Sequence, residues 1–218
     1  MNVRKNYLIT GVLFILFAVF TVLVTKVDVK PIGLEGTEIG FAGINEAVRD
    51  SLSYNEMWYT ITKITGMIAI LVAALFGLLG LAQLIRRKSF SQVDKDIYAL
   101  AITYVLVIAF YVLFEKMAIN FRPVDLGDGL EASFPSTHSM LVLSIMGTAM
   151  IQFHRRLKDS RIRMAAEIIS ALLIVITVVG RLLSGVHWFT DIIGGIILGT
   201  AFIMLYYSME CSVRKMRK

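Results

Sequence analysis

Two histidines and two arginines occur near the ends of apolar stretches of this sequence, and together they suit phosphate chemistry. Arg122 and Arg181 carry planar forks of N–H donors that match the oxygens of a phosphate group. His138 and His187 can divide the roles of nucleophile and proton donor. Because ionisable residues are costly at the edge of a membrane, such a group indicates a site of phosphoryl transfer. The third histidine, His154, is interpreted as a solvated residue of a basic loop.

The spacing after Arg181 is the most specific part of this pattern. Five residues separate Arg181 from His187, and three separate His187 from Asp191. On a helix that begins near this turn, residues four apart face the same way. Asp191 would then accept from one ring nitrogen of His187 and leave the other nitrogen free to attack, as in a catalytic triad.

A second group of candidates begins the fourth apolar stretch. Ser136 and Thr137 directly precede His138. The first backbone amides of a helix have no partner within the helix and point toward any anion nearby. We therefore expect Ser136 and Thr137 to bind phosphate.

Three motifs resemble those of the type 2 phosphatidic acid phosphatase family, within a superfamily that includes vanadium haloperoxidases and bacterial acid phosphatases. They are KMAINFRP ending at Pro123, FPSTH ending at His138, and GRLLSGVHWFTD from Gly180 to Asp191. The resemblance implies that His187 attacks phosphorus and becomes a phosphohistidine. It also implies that His138 is the general acid, and that Lys116, Arg122 and Arg181 bind phosphate.

The sequence departs from the family pattern at three places. In the family, a lysine stands seven positions before the arginine of the first motif. This chain has Glu115 at that position, and Lys116 is one residue closer to Arg122. Such a shift turns a helical side chain by about 100°, and Lys63 is an alternative source of the charge. Family members commonly have glycine in place of Thr137 and serine in place of Gly180, so Gly180 is expected not to be a ligand.

No cofactor or metal is expected. Cys211 is the single cysteine, which excludes an intrachain disulfide and a cysteine metal cluster. Asp125, Asp128 and Glu131 are scattered through one loop without metal-ligand spacing. The sequence therefore predicts metal-independent catalysis.

The elements that must position these residues are membrane helices. Hydrophobic residues make up 57% of the chain and charged residues 17%, with a mean hydropathy of +0.74, which is too apolar for a soluble domain of this length. We predict an all-α polytopic helix bundle in a single domain, residues 1–218, because apolar stretches of membrane-spanning length recur. The six predicted spans are 7–26, 57–85, 97–121, 137–153, 164–183 and 190–209.

The sequence allows two interpretations for each of two segments, the first span and residues 44–54. The first span follows a short basic segment, as a signal peptide would, but it runs about 20 residues without a clear cleavage site, so we interpret it as an anchor. Residues 44–54 have apolar side chains near helical spacing. They form either a short interfacial helix on the outer side or a solvated loop with some helix.

Charge asymmetry predicts the orientation. Fifteen of the 22 basic residues fall at the two termini or in the segments that follow the second and fourth spans. The positive-inside rule makes these segments cytoplasmic. Both termini would then be cytoplasmic, with the site on the extracytoplasmic side of a plasma membrane. The same distribution accounts for the net charge of +6 without nucleic-acid binding.

A membrane-edge phosphate site favours a lipid phosphatase. The candidate substrates are undecaprenyl pyrophosphate, phosphatidylglycerol phosphate and phosphatidic acid, which would place the enzyme in lipid and cell-envelope metabolism. The alternative is a transporter or binder of phosphorylated lipids, which would need the positive charges but not the two histidines. Beyond the lipid substrate and the surrounding membrane lipids, no obligate protein partner is inferred.

Overall fold

The computed structural model describes residues 2–127 and 129–216, and their regular structure is helical apart from two isolated β-bridges. Asp128, Arg217 and Lys218, part of the sequence argument above, lie outside the described residues. The seven α-helices of this part of the chain are α1 (Val3–Val24), α2 (Ala42–Ser51), α3 (Glu56–Arg87), α4 (Lys95–Met117), α5 (Thr137–Arg156), α6 (Ser160–Leu183) and α7 (Phe189–Met216).

Five of these helices, α1, α3, α4, α6 and α7, are long and apolar enough to cross a membrane. Helix α5 has 20 residues but is more polar, and it packs against α3, α4, α6 and α7. A helix enclosed by other helices needs little lipid-facing apolar surface. The predicted class, an all-α polytopic membrane bundle, is confirmed.

The long helices alternate in direction, so the candidate residues meet at one end of the bundle. Helices α4 and α6 end there, and α5 and α7 begin there. Backbone bonds hold this end together: Ser136 donates to the Asp191 carbonyl at 2.9 Å, and Asn55 donates to the Ser184 carbonyl at 3.1 Å. We call this the site end. The opposite end carries the basic segments and is called the basic end.

Helix α2 resolves one alternative left by the sequence. Residues 42–51 are helical, so the segment is not a loop, although the helix ends three residues before the predicted boundary at 54. Asn45 of α2 is buried and ties this helix to α7, because its amide donates to Thr190 Oγ1 at 3.0 Å and accepts from Thr190 N at 3.1 Å. Helix α2 therefore supports the start of α7 beside the site.

Aromatic packing joins α1, α4 and α7 beneath the site end. The ring of Phe134, which precedes α5, lies 6.2 Å from the rings of Phe17 and Phe114. Polar contacts between helices supplement this packing, such as Thr65 with Thr177 at 2.6 Å. Small hydroxyl side chains suit such contacts because helix backbones can approach closely around them.

A buried ion network holds the basic end. Asp96 and Glu210 are almost fully buried, and Arg155 Nη1 lies 3.4 Å and 3.0 Å from their carboxylates. Arg156 adds a bond of 2.6 Å to Asp96. A buried charge is tolerated only when it is paired, so this network fixes the ends of α4, α5 and α7 relative to one another.

The third predicted span is wrong at its end. Helix α4 stops at Met117 and Ala118 adopts a left-handed conformation with φ of 43°, whereas the predicted span runs to 121. Residues 120 and 121 instead use their backbone for tertiary contacts: the Asn120 carbonyl accepts from Ser133 N, and the Phe121 carbonyl accepts from Trp188 Nε1 at 2.7 Å. Arg122 therefore lies on an extended segment, not at a helix end.

Candidate active site

His187 lies in the turn between α6 and α7. The chain reverses through Gly185, whose φ of 69° favours glycine, and α7 begins only at Phe189. The prediction that His187 and Asp191 share one helix is therefore wrong for His187. The two side chains still meet, with His187 Nδ1 3.5 Å from Asp191 Oδ2.

Asp191 is held in place from several directions. Its Oδ2 accepts from Trp188 N at 3.0 Å, which caps the start of its own helix, and its Oδ1 accepts from Asn120 Nδ2 at 3.1 Å. Ser133 lies against both Asp191 and His187. A carboxylate fixed in this way can orient the imidazole beside it. Asn120 and Ser133 were missed by the sequence reasoning, although Asn120 stands inside the first motif.

His138 and Arg181 bring α5 and α6 into the same site. His138 is the second residue of α5, and its Nδ1 lies 2.5 Å from Nη2 of Arg181 in the last turn of α6. The guanidinium of Arg181 lies 5.3 Å from the centre of the Tyr59 ring, within the range of a cation–π contact. Arg181 is 1% exposed, so its charge is directed inward. His138 also interacts electrostatically with His187 and Arg122.

Arg122 reaches the site from the loop between α4 and α5. Phe121 pairs with Ala132 in an antiparallel bridge, and the backbone nitrogen of Arg122 donates to the Glu131 carbonyl at 3.0 Å. The side chains of the same two residues pair, with Arg122 Nε 2.8 Å from Glu131 Oε2. The loop therefore carries both the guanidinium predicted to bind phosphate and a carboxylate that pairs with it.

Several buried nitrogen atoms at this site lack a hydrogen-bond partner. Among the described residues they include Nη1 of Arg122, Nε and Nη1 of Arg181, and the ring nitrogens of His187. Unpartnered buried polar groups are costly and need an explanation. Guanidinium groups that converge with free N–H donors form a site for an anion with several oxygens.

The electrostatics keep His187 in its neutral form. Burial, reinforced by the positive charges of Arg181 and Arg122, holds the pKa of His187 well below its usual value of 6.5. A neutral imidazole retains a lone pair for attack on phosphorus. Since Nδ1 faces Asp191, Nε2 is the nitrogen left for that attack.

The remaining predicted phosphate ligands are placed less directly. The Ser136 hydroxyl caps α5 by accepting from Ser139 N, and its backbone amide donates to the Asp191 carbonyl. Thr137 is partly exposed and lines the groove that starts at His138. Lys116 is exposed, two residues and thus roughly 200° around α4 from the buried Phe114. The structure therefore gathers Arg122, His138, Arg181, His187 and Asp191 but does not bring Lys116 among them.

Gly180 has a packing role. A Cβ at this position would lie 2.7 Å from Thr62 Cγ2 and 3.0 Å from Trp58 Cε3. Such distances require a shift of the neighbouring atoms. Glycine therefore permits the close approach of α3 and α6 one residue before Arg181.

Within the part of the chain that the structure describes, no group of three histidine, cysteine, aspartate or glutamate side chains is placed to hold a metal ion. The chemistry available to the described residues is that of imidazole, carboxylate and guanidinium groups. Independence from metal remains a prediction that activity measurements must test.

Comparison with known proteins supports the motif assignment. Residues 119–213, which contain all of the candidate residues except Lys116 and the alternative Lys63, match the sequence profile of the PAP2 superfamily. The fold is similar to the crystal structure of a transmembrane PAP2-type phosphatidylglycerolphosphate phosphatase from Bacillus subtilis. The TM-score is 0.66 at 19% identity, over 94% of this chain and 96% of that one. A search of curated proteins found no match. The resemblance drawn from the motifs is therefore confirmed: the chain is similar to the PAP2 superfamily over residues 119–213 and shares the fold of that crystal structure.

Proposed function

We propose that this protein hydrolyses a lipid phosphate or pyrophosphate through a phosphohistidine on His187. The observation that supports the proposal most strongly is the buried pair His187 and Asp191 beside Arg122 and Arg181, whose guanidinium groups have unpartnered N–H donors. Binding alone would need the arginines. A fixed, neutral imidazole adjacent to them is an arrangement for attack on phosphorus.

The first step transfers the phosphoryl group to the enzyme. The lone pair on His187 Nε2 forms a bond to phosphorus as the bond between phosphorus and the leaving oxygen breaks. The leaving oxygen takes the bonding electrons and a proton from His138. Arg122 and Arg181 stabilise the three non-bridging oxygens as charge spreads over them. Asp191 stabilises the positive charge that develops on His187.

In this scheme His138 takes up a proton from solvent when the substrate binds. With Arg181 donating to Nδ1, the neutral ring carries its proton on Nε2. A phosphate that enters the site attracts the Arg181 guanidinium and favours a protonated, cationic His138. In the second step His138 takes a proton from water, the water oxygen bonds to phosphorus, the bond to His187 breaks, and inorganic phosphate leaves.

The site position favours a lipid substrate on the extracytoplasmic side. A groove lined mainly by apolar residues of α3, α4 and α5 begins at His138, so a lipid chain can remain in an apolar environment while its headgroup meets the arginines. The basic end lies opposite the site end, and the positive-inside rule makes the basic end and both termini cytoplasmic. Phosphatidylglycerol phosphate, named in the structural neighbour, joins undecaprenyl pyrophosphate and phosphatidic acid as substrates to test.

The decisive experiment measures phosphate release from these three lipids in detergent with a chelator present. Wild-type protein should release phosphate, and His187→Ala should release none. His154→Ala is the matched control, because His154 lies at the basic end, where Nδ1 pairs with Glu167 at 3.0 Å. A rapid alkaline quench, with substrate labelled in the transferred phosphoryl group, should trap a phosphohistidine in the wild type and in the control.

Turnover by His187→Ala would overturn the nucleophile assignment. If wild type bound the lipids but released no phosphate from any of them, a lipid-binding or transport function would be the better interpretation. Loss of activity with chelator that returns on adding a divalent cation would contradict metal-independent catalysis.

A further inference from the structure

A groove of about 490 Å³ leads away from His138 between α3, α4 and α5. Its walls include Met67 and Ile70 of α3, Val107 of α4 and Leu141 of α5. Most of its lining is apolar. Lys63 of α3 also lines it, at the same part of the bundle as His138. The combination of a lipid-sized apolar groove with one lysine is not explained by binding of the transferred phosphate.

The position of Lys63 is fixed by its register on α3. Lys63 and Gly66 are three residues apart and share a helix face. A Cβ on Gly66 would lie 3.2 Å from Cδ2 and 3.7 Å from Nε2 of His138, so the Nε2 edge of that ring faces α3. Lys63 is one turn nearer the site end. Its Nζ lies 4.8 Å from the centre of the Tyr59 ring, and its charge acts on His138.

The positive charges of the site thus lie in two separate places. Arg122 and Arg181 are directed into the buried site beside His187, and none of these three residues lines the described groove. Lys63 lies on the other side of His138, in the groove. In the mechanism proposed above, His138 donates its proton to the leaving oxygen. The leaving group must therefore lie between His138 and the groove, within reach of Lys63.

We propose that Lys63 binds the leaving group and makes this enzyme selective for lipid diphosphates over lipid monophosphates. The inference rests on the proposed phosphatase function. When a diphosphate reacts, the bond from the bridging oxygen to the transferred phosphorus breaks, and the leaving group is a lipid monophosphate that retains negative charge. When a monophosphate reacts, the leaving group is an alcohol that His138 neutralises with one proton. Only the first leaving group gains from an adjacent ammonium group.

The test uses farnesyl diphosphate and farnesyl monophosphate, which share one prenyl chain and differ in the leaving group. Lys63→Met should lower kcat/KM for the diphosphate by about 10- to 100-fold and that for the monophosphate by less than about threefold. Lys63→Arg keeps the charge and should retain most of the diphosphate activity. Lys26→Met, which removes an exposed lysine of the site-end loop after α1, should leave both rates unchanged.

Several results would overturn the inference. An equal fall for both substrates would mean that Lys63 acts on the transferred phosphate or on the fold, and no fall would mean that it does not contact the substrate. A diphosphate-selective loss in Lys116→Met but not in Lys63→Met would assign the role to the lysine of α4. In each of these cases wild-type hydrolysis would leave the phosphatase function standing. A wild-type enzyme that cleaves neither farnesyl compound nor any of the three lipids above would instead refute the function itself.

Discussion

Arg181 Nη2 lies 2.5 Å from His138 Nδ1, and this contact joins the last turn of α6 to the first turn of α5. A guanidinium has only donors, so Nδ1 accepts and the ring proton is on Nε2. The contact therefore aims the proton-bearing edge of His138 toward α3 and the groove. In the proposed mechanism Arg181 therefore has two roles, because it would bind phosphate and orient the general acid.

Replacement of Arg181 by lysine should therefore lower activity strongly, even though the positive charge is kept. Lysine retains the positive charge but cannot supply the planar fork. We expect kcat/KM for lipid phosphate to fall by about 10²- to 10³-fold, a magnitude typical for loss of a transition-state donor. Arg161→Lys, at an exposed position near the start of α6, is the matched control. Near-normal activity in Arg181→Lys would show that only its charge is needed.

Replacement of Asp191 by asparagine should slow both chemical steps. The variant removes the negative charge beside His187 Nδ1, so the cation formed on attack loses its stabilisation, and the wrong tautomer becomes favoured. We expect kcat to fall by roughly 10²- to 10⁴-fold. Quenched-flow measurement of phosphohistidine formation and decay checks both steps. An unchanged rate of phosphohistidine formation would contradict the orienting role of Asp191.

Glu131 should act as an internal competitor of phosphate. Its carboxylate lies 2.8 Å from Arg122 Nε, and its charge also acts on Arg181. Glu131→Gln removes that charge while preserving the size of the side chain. Inorganic phosphate should then inhibit about three- to tenfold more strongly, since the arginines are freed for the anion. Glu35→Gln, at an exposed position, is the control, and weaker inhibition in Glu131→Gln would mean that Glu131 mainly positions Arg122.

The lowered pKa of His187 predicts that this residue stays neutral as the pH falls toward 6.5. Protonation removes the nucleophilic lone pair, and the pKa of His187 is held well below 6.5 by burial and by the charges of Arg181 and Arg122. In the free enzyme His187 should therefore remain neutral as the pH falls from about 8 to about 6.5. Arg122→Met removes one of the cations that disfavour the imidazolium, so the pKa should rise toward its usual value.

Nuclear magnetic resonance of labelled histidine rings can follow this titration. The His187 signal is assigned by its loss in His187→Gln. A His187 signal that titrates near the usual histidine pKa in the wild type would contradict the prediction. So would a downward shift of that pKa in Arg122→Met.

The contact of α3 with α6 at Gly180 can be tested by a double-mutant cycle. Gly180→Ala places a methyl group 2.7 Å from Thr62 Cγ2, and we expect it to destabilise the fold by about 1–3 kcal/mol. Thr62→Ser removes that methyl carbon and should restore part of the loss. Gly77 lies on α3, as Thr62 does, and no neighbouring atom lies within 4 Å of a Cβ added there. Gly77→Ala should therefore leave the stability of the fold unchanged. Thermal unfolding in detergent measures all four variants, and additive effects would contradict direct contact.

The fold class was predictable because membrane insertion leaves a strong signal in a sequence. Apolar stretches of about 20 residues and a one-sided excess of lysine and arginine follow from the thickness and electrostatics of the bilayer. Helix ends were less predictable. Helix α4 stops at Met117, well before Pro123, because Asn120 and Phe121 form tertiary contacts that no local pattern reports.

For the candidate site, the sequence by itself determined the reactive groups: spacing and residue type singled out Arg122, His138, Arg181, His187 and Asp191. Only the tertiary structure decided how these candidate residues are arranged. It placed Lys63 of α3 beside His138 and left Lys116 on an exposed face of α4. The physical reason is that local spacing fixes which residues share a turn or a helix face. Which residues of different helices meet depends on how those helices pack, down to a single close approach such as that at Gly66 or Gly180.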